Sequence, residues 1–150
     1  MTGIAQRPWW HRVEHVDTDA SGIVHFSRYA SLLETVVLDF LETSGAGLAV
    51  LAEHGLELVV TELRIKYVNS ARYLDVLFGG AVIDHVGGAQ FRSGATLYRE
   101  EAIGACTKLV TGSLTFGTVR RASGTPAALP AVVRNTLKGL FADAERHASS

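Results

Sequence analysis

The sequence predicts an α+β domain in which one antiparallel β-sheet is wrapped around a long central helix, with a further helix at the C-terminus. Three observations predict it. Residues 27–43 repeat apolar side chains at helical spacing. Four segments rich in Val, Ile, Thr, Phe and Tyr then follow one another, parted by turn signals. Strands that succeed each other through short turns pair antiparallel and need no crossover helices. At 150 residues the chain is the size of one domain, residues 1–150, with a core from about 9 to 130.

The elements follow in order. Residues 9–16, WWHRVEHV, alternate in part and read as a first strand, which the polar stretch Asp17 to Gly22 ends. In residues 27–43, Leu32, Leu33, Val36, Val37, Phe40 and Leu41 recur three and four apart, so this helix is well buried. Gly45 and Gly47 stop it. A short apolar piece spans residues 48–54. In residues 57–68, ELVVTELRIKYV, the period becomes that of a strand: Leu63, Ile65 and Tyr67 alternate with Arg64 and Lys66. Residues 74–86, 89–99 and 103–119 read as three more strands, with turns at Gly87-Gly88 and residues 99–102. Pro126 and Pro130 punctuate the end of the sheet. Val132, Val133, Leu137, Leu140 and Phe141 predict a helix from Ala131 to about Arg146. One helix cannot cover both faces of a flat sheet, but a sheet can curl around a helix. The exposed edge that remains is commonly protected by pairing with another subunit.

Composition narrows the function classes. Hydrophobic residues make up 47% and charged residues 19%, which excludes intrinsic disorder and points to a second buried surface such as a subunit interface. Net charge is −1. Residues 1–75 carry 6 basic and 10 acidic side chains and residues 76–150 carry 8 and 5, so the second half is the more basic. Neither half holds a dense basic run, and no nucleic acid is expected as a main partner. The only cysteine, Cys106, allows no intrachain disulfide and no multi-cysteine zinc site; in a strand it is expected to be a buried small hydrophobe. The first fifteen residues lack an apolar signal core and no 18-residue apolar run exists, so the expectation is a soluble cytoplasmic protein without a membrane span.

Chemistry concentrates in residues 13–29, VEHVDTDASGIVHFSRY. An aspartate just ahead of a helix either caps it or fixes a turn, or serves as a base or nucleophile. Asp17 and Asp19, two residues apart, could share a proton and split their pKa values. Free N–H groups at a helix N-terminus favour negative charge. His25, a residue type used as a general base in catalysis, is a second candidate. His11 and His15 alternate on the first strand, but no known zinc spacing is present and no metal is expected. A Ser-His-Asp triad is not expected, because the G-x-S-x-G elbow and the βαβ rhythm are both missing.

A strand, then DTDASGIVHFSRY, a buried helix and a β-meander resemble the hotdog-fold thioesterases of the 4-hydroxybenzoyl-CoA thioesterase type. The bacterial acyl-CoA thioesterases associated with the Tol-Pal cluster look closer still. Residues 59–77, VVTELRIKYVNSARYLDVL, are similar to that family's second strand, its turn and the start of its third. AALP, residues 127–130, falls where the family often places a Pro-containing segment, so the resemblance covers residues 9–130. It implies hydrolysis of an acyl thioester, acyl-CoA or acyl carrier protein, with no cofactor. Asp19 matches the catalytic aspartate, three residues before the glycine, acting as general base or nucleophile. Asp17 matches an acidic position outside the reaction centre, structural and interface-facing. The N–H of Phe26 matches the donor that holds the thioester oxyanion, with Gly22 allowing close approach. His25 and Tyr29 match positions that line the pocket or orient its loop. The family implies a homodimer or homotetramer with sheets joined edge to edge and active sites between subunits. Two alternatives stay open: a hotdog dehydratase acting on hydroxyacyl thioesters, and a non-catalytic module that binds acyl-pantetheine. The Asp-x-x-Gly-Ile-Val motif favours hydrolysis, and a pure binder needs no acid beside the thioester.

One departure bears on the substrate. The benzoyl-CoA relatives set basic residues on the turn after the third strand, against the phosphates of coenzyme A. Here the turn is DHVGGAQF, residues 84–91, with Gly87, Gly88 and Ala89 in place of charges. Backbone amides of this turn, or Arg92, Arg120 and Arg121, are the candidate replacements. Weaker grip on the nucleotide gives a carrier-protein substrate, as in fatty-acid or polyketide biosynthesis, nearly equal weight with a coenzyme A ester.

Overall fold

The computed structural model describes residues 9–149. In chain order these form β1 (Trp9–Arg12), a 3₁₀ turn (His15–Asp17), α1 (Arg28–Thr43), α2 (Leu48–Glu53), β2 (Leu56–Tyr67), β3 (Val76–Val86), β4 (Gln90–Glu100), β5 (Cys106–Arg120) and α3 (Ala131–Ser149). The strands make one sheet in the order β1-β3-β4-β5-β2, every neighbouring pair antiparallel.

Strand alternation divides the sheet into two faces. Leu77, Gly79 and Ile83 of β3, Phe91, Ala95 and Leu97 of β4, and Val110, Leu114 and Phe116 of β5 are all buried. Register brings them into rows: Gly79 opposes Leu97 and Leu97 opposes Val110, while Phe91 opposes Phe116 and stacks on it. α1 contributes Leu32, Leu33, Val36, Val37 and Leu41 to this core, and α3 adds Val133 and Leu137. Each such side chain adds roughly 1.5–3 kcal/mol of burial free energy. Two glycines set how near α1 can come. A Cβ on Gly79 would lie 2.7 Å from a Val36 methyl, and one on Gly112 would lie 2.7 Å from a Leu33 methyl.

The expectation of a sheet wrapped around a central helix is met only in part. α1 lies mainly against β3 and β4, and the short α2 packs against β2. Val60 and Leu63 of β2 oppose the inward-facing Phe116 and Leu114, yet each is left 39% exposed. β2 is therefore a twelve-residue edge strand with uncovered apolar side chains.

Four local readings of the sequence are corrected. The first strand ends at Arg12 rather than residue 16, because Glu14 donates its N–H to the Asp17 carboxylate (2.8 Å) and the chain turns. His15 therefore does not share a strand face with His11. β3 starts at Val76 rather than residue 74, since Leu74 has φ +74°, a turn conformation that strands exclude. β5 starts at Cys106 rather than residue 103, after a turn with Gly104 at φ +80°. Cys106, the first residue of β5, sits opposite Glu100 at the hairpin end and is exposed, not buried. Among the described residues no helix is long and apolar enough to cross a membrane.

Candidate active site

The loop between the 3₁₀ turn and α1 carries two aspartates with opposite surroundings. Asp17 is 1% exposed. Its Oδ1 accepts from Arg28 Nε (2.7 Å), and its Oδ2 accepts from the Glu14 N–H (2.8 Å) and lies 2.7 Å from His11 Nε2. Burial alone would raise its pKa; the Glu14 amide, His11 and Arg28 outweigh it and hold the carboxyl below its ordinary value. Its backbone oxygen accepts the His25 N–H (2.9 Å), which ties the start of the loop to its end. Asp17 is thus a structural anchor, as expected, but it faces the interior of its own chain and not an interface.

Asp19 is exposed. Its Oδ1 accepts both the N–H (2.8 Å) and the hydroxyl (2.5 Å) of Ser21. Those two bonds, the hydroxyl foremost, with smaller contributions from the Ile23 backbone and His25, hold its carboxyl below the ordinary aspartate value. Its own N–H donates to Ile23 O (2.9 Å) and its carbonyl accepts from Gly22 N–H (3.0 Å). Gly22 sits at φ +83° with nothing within 4 Å of where a Cβ would point. The left-handed turn, rather than crowding within this chain, selects glycine there. Bridges from Ile23 to Arg72 and from Thr18 to Val24 stitch the loop down.

Asp19 stands at a pocket of about 410 Å³ whose walls are Phe26 and Tyr29 on one side and Tyr67, Val68, Asn69 and Ser70 on the other. Tyr29, buried on α1, accepts the Ala71 N–H (2.8 Å) at its hydroxyl, and burial raises its pKa, so it stays neutral. The Tyr67 ring meets Phe26 and Tyr29 edge-on at 6.3 and 5.8 Å, and its hydroxyl donates to Phe26 O (3.2 Å). The N–H of Phe26, just ahead of α1, donates to no acceptor among the described residues. The pocket sets the aromatic and aliphatic faces of Phe26, Ile23, Val24 and Val68 beside the polar groups of Asp19, Asn69 and Ser70, which a small-molecule site needs for orientation.

The remaining candidates lie elsewhere. His25 is exposed and outside the pocket wall; its Nδ1 shares a hydrogen with the Ser27 hydroxyl (2.8 Å) and its ring stacks on Phe26. Arg92 is ion-paired with Asp84 (2.7 Å) and opposes Thr115, whereas Tyr67 opposes Val110. At ~3.3 Å per residue that is about 16 Å along β5, so one chain does not bring Arg92 to the pocket. Arg120, Arg121 and the Gly87-Gly88 turn lie at the same distant end, with Arg121 3.7 Å from Glu57. Among the described residues no three His, Cys, Asp or Glu side chains converge as a metal site requires. Tyr67 and Asn69 also line the pocket, although the sequence marks them only as part of a strand and turn; their signal is their place in the segment 59–77.

Residues 13–137 match the family described as the Thioesterase-like superfamily, and the chain belongs to that superfamily. Thioester hydrolysis is the general chemistry this membership supports. A probable thioesterase from Bartonella henselae is 26% identical, with TM-score 0.69 over 83% of this chain and 97% of that one. A 1,4-dihydroxy-2-naphthoyl-CoA thioesterase from Synechocystis is 17% identical, with TM-score 0.72 over 91% and 96%. A DHNA-CoA thioesterase from Staphylococcus aureus is 16% identical, with TM-score 0.78 over 94% and 91%. No curated protein matches the sequence. The antiparallel five-stranded sheet with its C-terminal helix fits the hotdog fold.

Proposed function

We propose that this chain hydrolyses an acyl thioester, with Asp19 as general base or nucleophile and the Phe26 N–H as oxyanion donor. The observation that carries the reading is their meeting at one pocket ahead of α1: a carboxylate whose short hydrogen bonds fall on one oxygen and an amide with no acceptor among the described residues. In the general-base form, Asp19 takes a proton from water and the resulting hydroxide attacks the thioester carbonyl. The carbonyl oxygen becomes an oxyanion held by Phe26 N–H. The C–S bond then breaks, giving the free acid and the thiol of the pantetheine arm. One such donor is worth roughly 3–4 kcal/mol of barrier in a protease. No cofactor enters the scheme.

Within the superfamily we place the chain with the Tol-Pal-associated and 4-hydroxybenzoyl-CoA type enzymes, on the Asp17–Val24 motif. The substrate is an acyl-CoA or an acyl carrier protein. Two copies pair through the β2 edges, whose uncovered apolar residues call for a partner. An antiparallel β2–β2 pairing carries the Arg120–Arg121 end of one sheet towards the Tyr67 end of the other. The arginines that one chain holds far from its own pocket then approach that of its partner.

Thiol release from a panel of acyl-CoA and acyl-carrier-protein thioesters, followed with a thiol reagent, tests the function. Turnover that Asp19→Asn abolishes is expected. A panel with no turnover by the wild-type protein would overturn the reading in favour of a binding module.

A further inference from the structure

We propose that Ser21 is a positioning residue for this reaction: its N–H and hydroxyl together fasten Oδ1 of Asp19 and leave Oδ2 as the reacting oxygen. The inference rests on the role given to Asp19 above. An exposed aspartate on a loop ordinarily samples several rotamers, and a base that samples them is only briefly in line with its water. Here the backbone of Asp19 is held on both sides, by Ile23 O and Gly22 N–H. Ser21 then holds the side chain through two donors, 2.8 and 2.5 Å from the same oxygen. The Ile23 N–H adds a weaker pull on the same carboxylate, the two short bonds both fall on Oδ1, and Asp19 lines the pocket. The arrangement fixes the carboxylate and commits one oxygen, so a single oxygen is presented to the substrate.

Donors on a carboxylate favour its charged form. Ser21 should therefore keep Asp19 ionised further into acid than an unassisted aspartate. The other titratable and charged groups around this loop are Asp17 with its partner Arg28, His25 ahead of α1, Tyr29 on α1, Tyr67 on β2 and Arg72 across the bridge to Ile23. Of these, His25 adds a smaller push in the same direction as Ser21.

The test uses Ser21→Ala, which removes the hydroxyl and keeps the amide, and Ser21→Thr, which restores a hydroxyl. Two quantities are read in the intact protein: the acid limb of kcat/KM, and the carboxyl carbon of Asp19 titrated by NMR. Ser21→Ala should move both to higher pH and lower kcat about 3–10-fold with KM changed less than about twofold, the mark of an effect on orientation and not on binding. Ser21→Thr should return them towards wild type. An Asp19 titration and acid limb that stay put in Ser21→Ala would overturn the proposal. Asp19→Asn run alongside separates the two claims. If it is inactive while Ser21→Ala titrates as wild type, only the positioning role fails. If it keeps wild-type turnover, the reading of Asp19 as catalyst fails, and the role of Ser21 in catalysis fails with it.

Discussion

Exchanging Asp17 for asparagine should separate stability from catalysis. The carboxylate is 1% exposed and serves three partners: Arg28, His11 and the Glu14 N–H. The amide has one acceptor oxygen where the carboxylate has two, and its NH₂ must face one of those three groups. It also removes the counter-ion of Arg28. Breaking a buried ion pair from one side costs about 3–5 kcal/mol. The side chains of Arg28 and His11 are 38% and 21% exposed, so both regain some water and the lower end, about 3 kcal/mol, applies. For a chain of 150 residues this is about 6–12 °C in Tm.

The pH dependence has a defined sign. The folded Asp17 pKa is lowered, so its stabilisation is fully present above the unfolded value, about 3.9, and is lost as pH falls through the folded value. Urea unfolding at pH 7 and near pH 3 should therefore show the gap between wild type and Asp17→Asn shrinking in acid. Activity should behave differently. The Asp17 carboxylate hydrogen-bonds to no residue of the pocket wall, and its backbone oxygen, which accepts the His25 N–H, survives the substitution. At 25 °C and neutral pH, kcat should stay within about threefold of wild type. Asp19→Asn should do the reverse, losing at least about 100-fold in kcat while melting near wild type, because its amide oxygen still accepts the Ser21 bonds. Comparable kinetic losses at both positions, or a wild-type melting curve for Asp17→Asn, would refute the division of roles.

Two further outcomes follow from the same structure. Sedimentation at micromolar concentration should show at least a dimer, and Leu63→Lys on the β2 edge should shift it towards monomer; a wild-type species of 16.1 kDa would contradict the edge pairing. For one acyl group carried on pantetheine, coenzyme A and carrier protein, kcat/KM at two salt concentrations should show little preference for coenzyme A over pantetheine, since residues 87–89 carry no charge. A preference above about tenfold, 1.4 kcal/mol, would reveal phosphate recognition elsewhere.

How much of this was legible in the sequence depends on the range of the interactions involved. α1 was readable because Leu32, Leu33, Val36, Val37 and Leu41 all turn to the same core, so periodicity and burial coincide. β3, β4 and β5 were readable to within a few residues for the same reason, whereas β2 was readable from its alternation although most of its side chains are exposed. The end of β1 was not, because it depends on Asp17 capturing the Glu14 N–H while His11 and Arg28, six and eleven residues away, complete the cluster. In the site, Asp19, Phe26 and Tyr29 are neighbours along the chain, and motif order alone brought them together. Tyr67 and Asn69 reach the pocket through the register of β2 on β5, which no local pattern states. Arg92 was chosen for its charge, but its place opposite Thr115 puts it at the other end of the sheet.

The two aspartates also bear on which thioester chemistry the pocket can run. Their spacing left open a pair that shares one proton, in which one carboxyl stays neutral near pH 7 and can act as an acid. Such a pair would show one pKa raised. Instead both are lowered, Asp17 by the Glu14 amide, His11 and Arg28, and Asp19 foremost by Ser21. With Arg28 balancing Asp17, the charge of the one does not suppress ionisation of the other. Near neutral pH the loop therefore offers a base and an anion but no carboxylic acid. Eliminating water from a hydroxyacyl thioester needs an acid, because hydroxide, the base of a very weak acid, is a poor leaving group. A thiolate is a far better one, its thiol ionising near about 8.5, and it can depart without a proton donor. Tyr29, the buried hydroxyl of the pocket, has its pKa raised and is a weaker acid still. These protonation states argue against a dehydration in which a carboxylic acid of this loop or Tyr29 is the proton donor, whereas cleavage of the C–S bond needs no such donor.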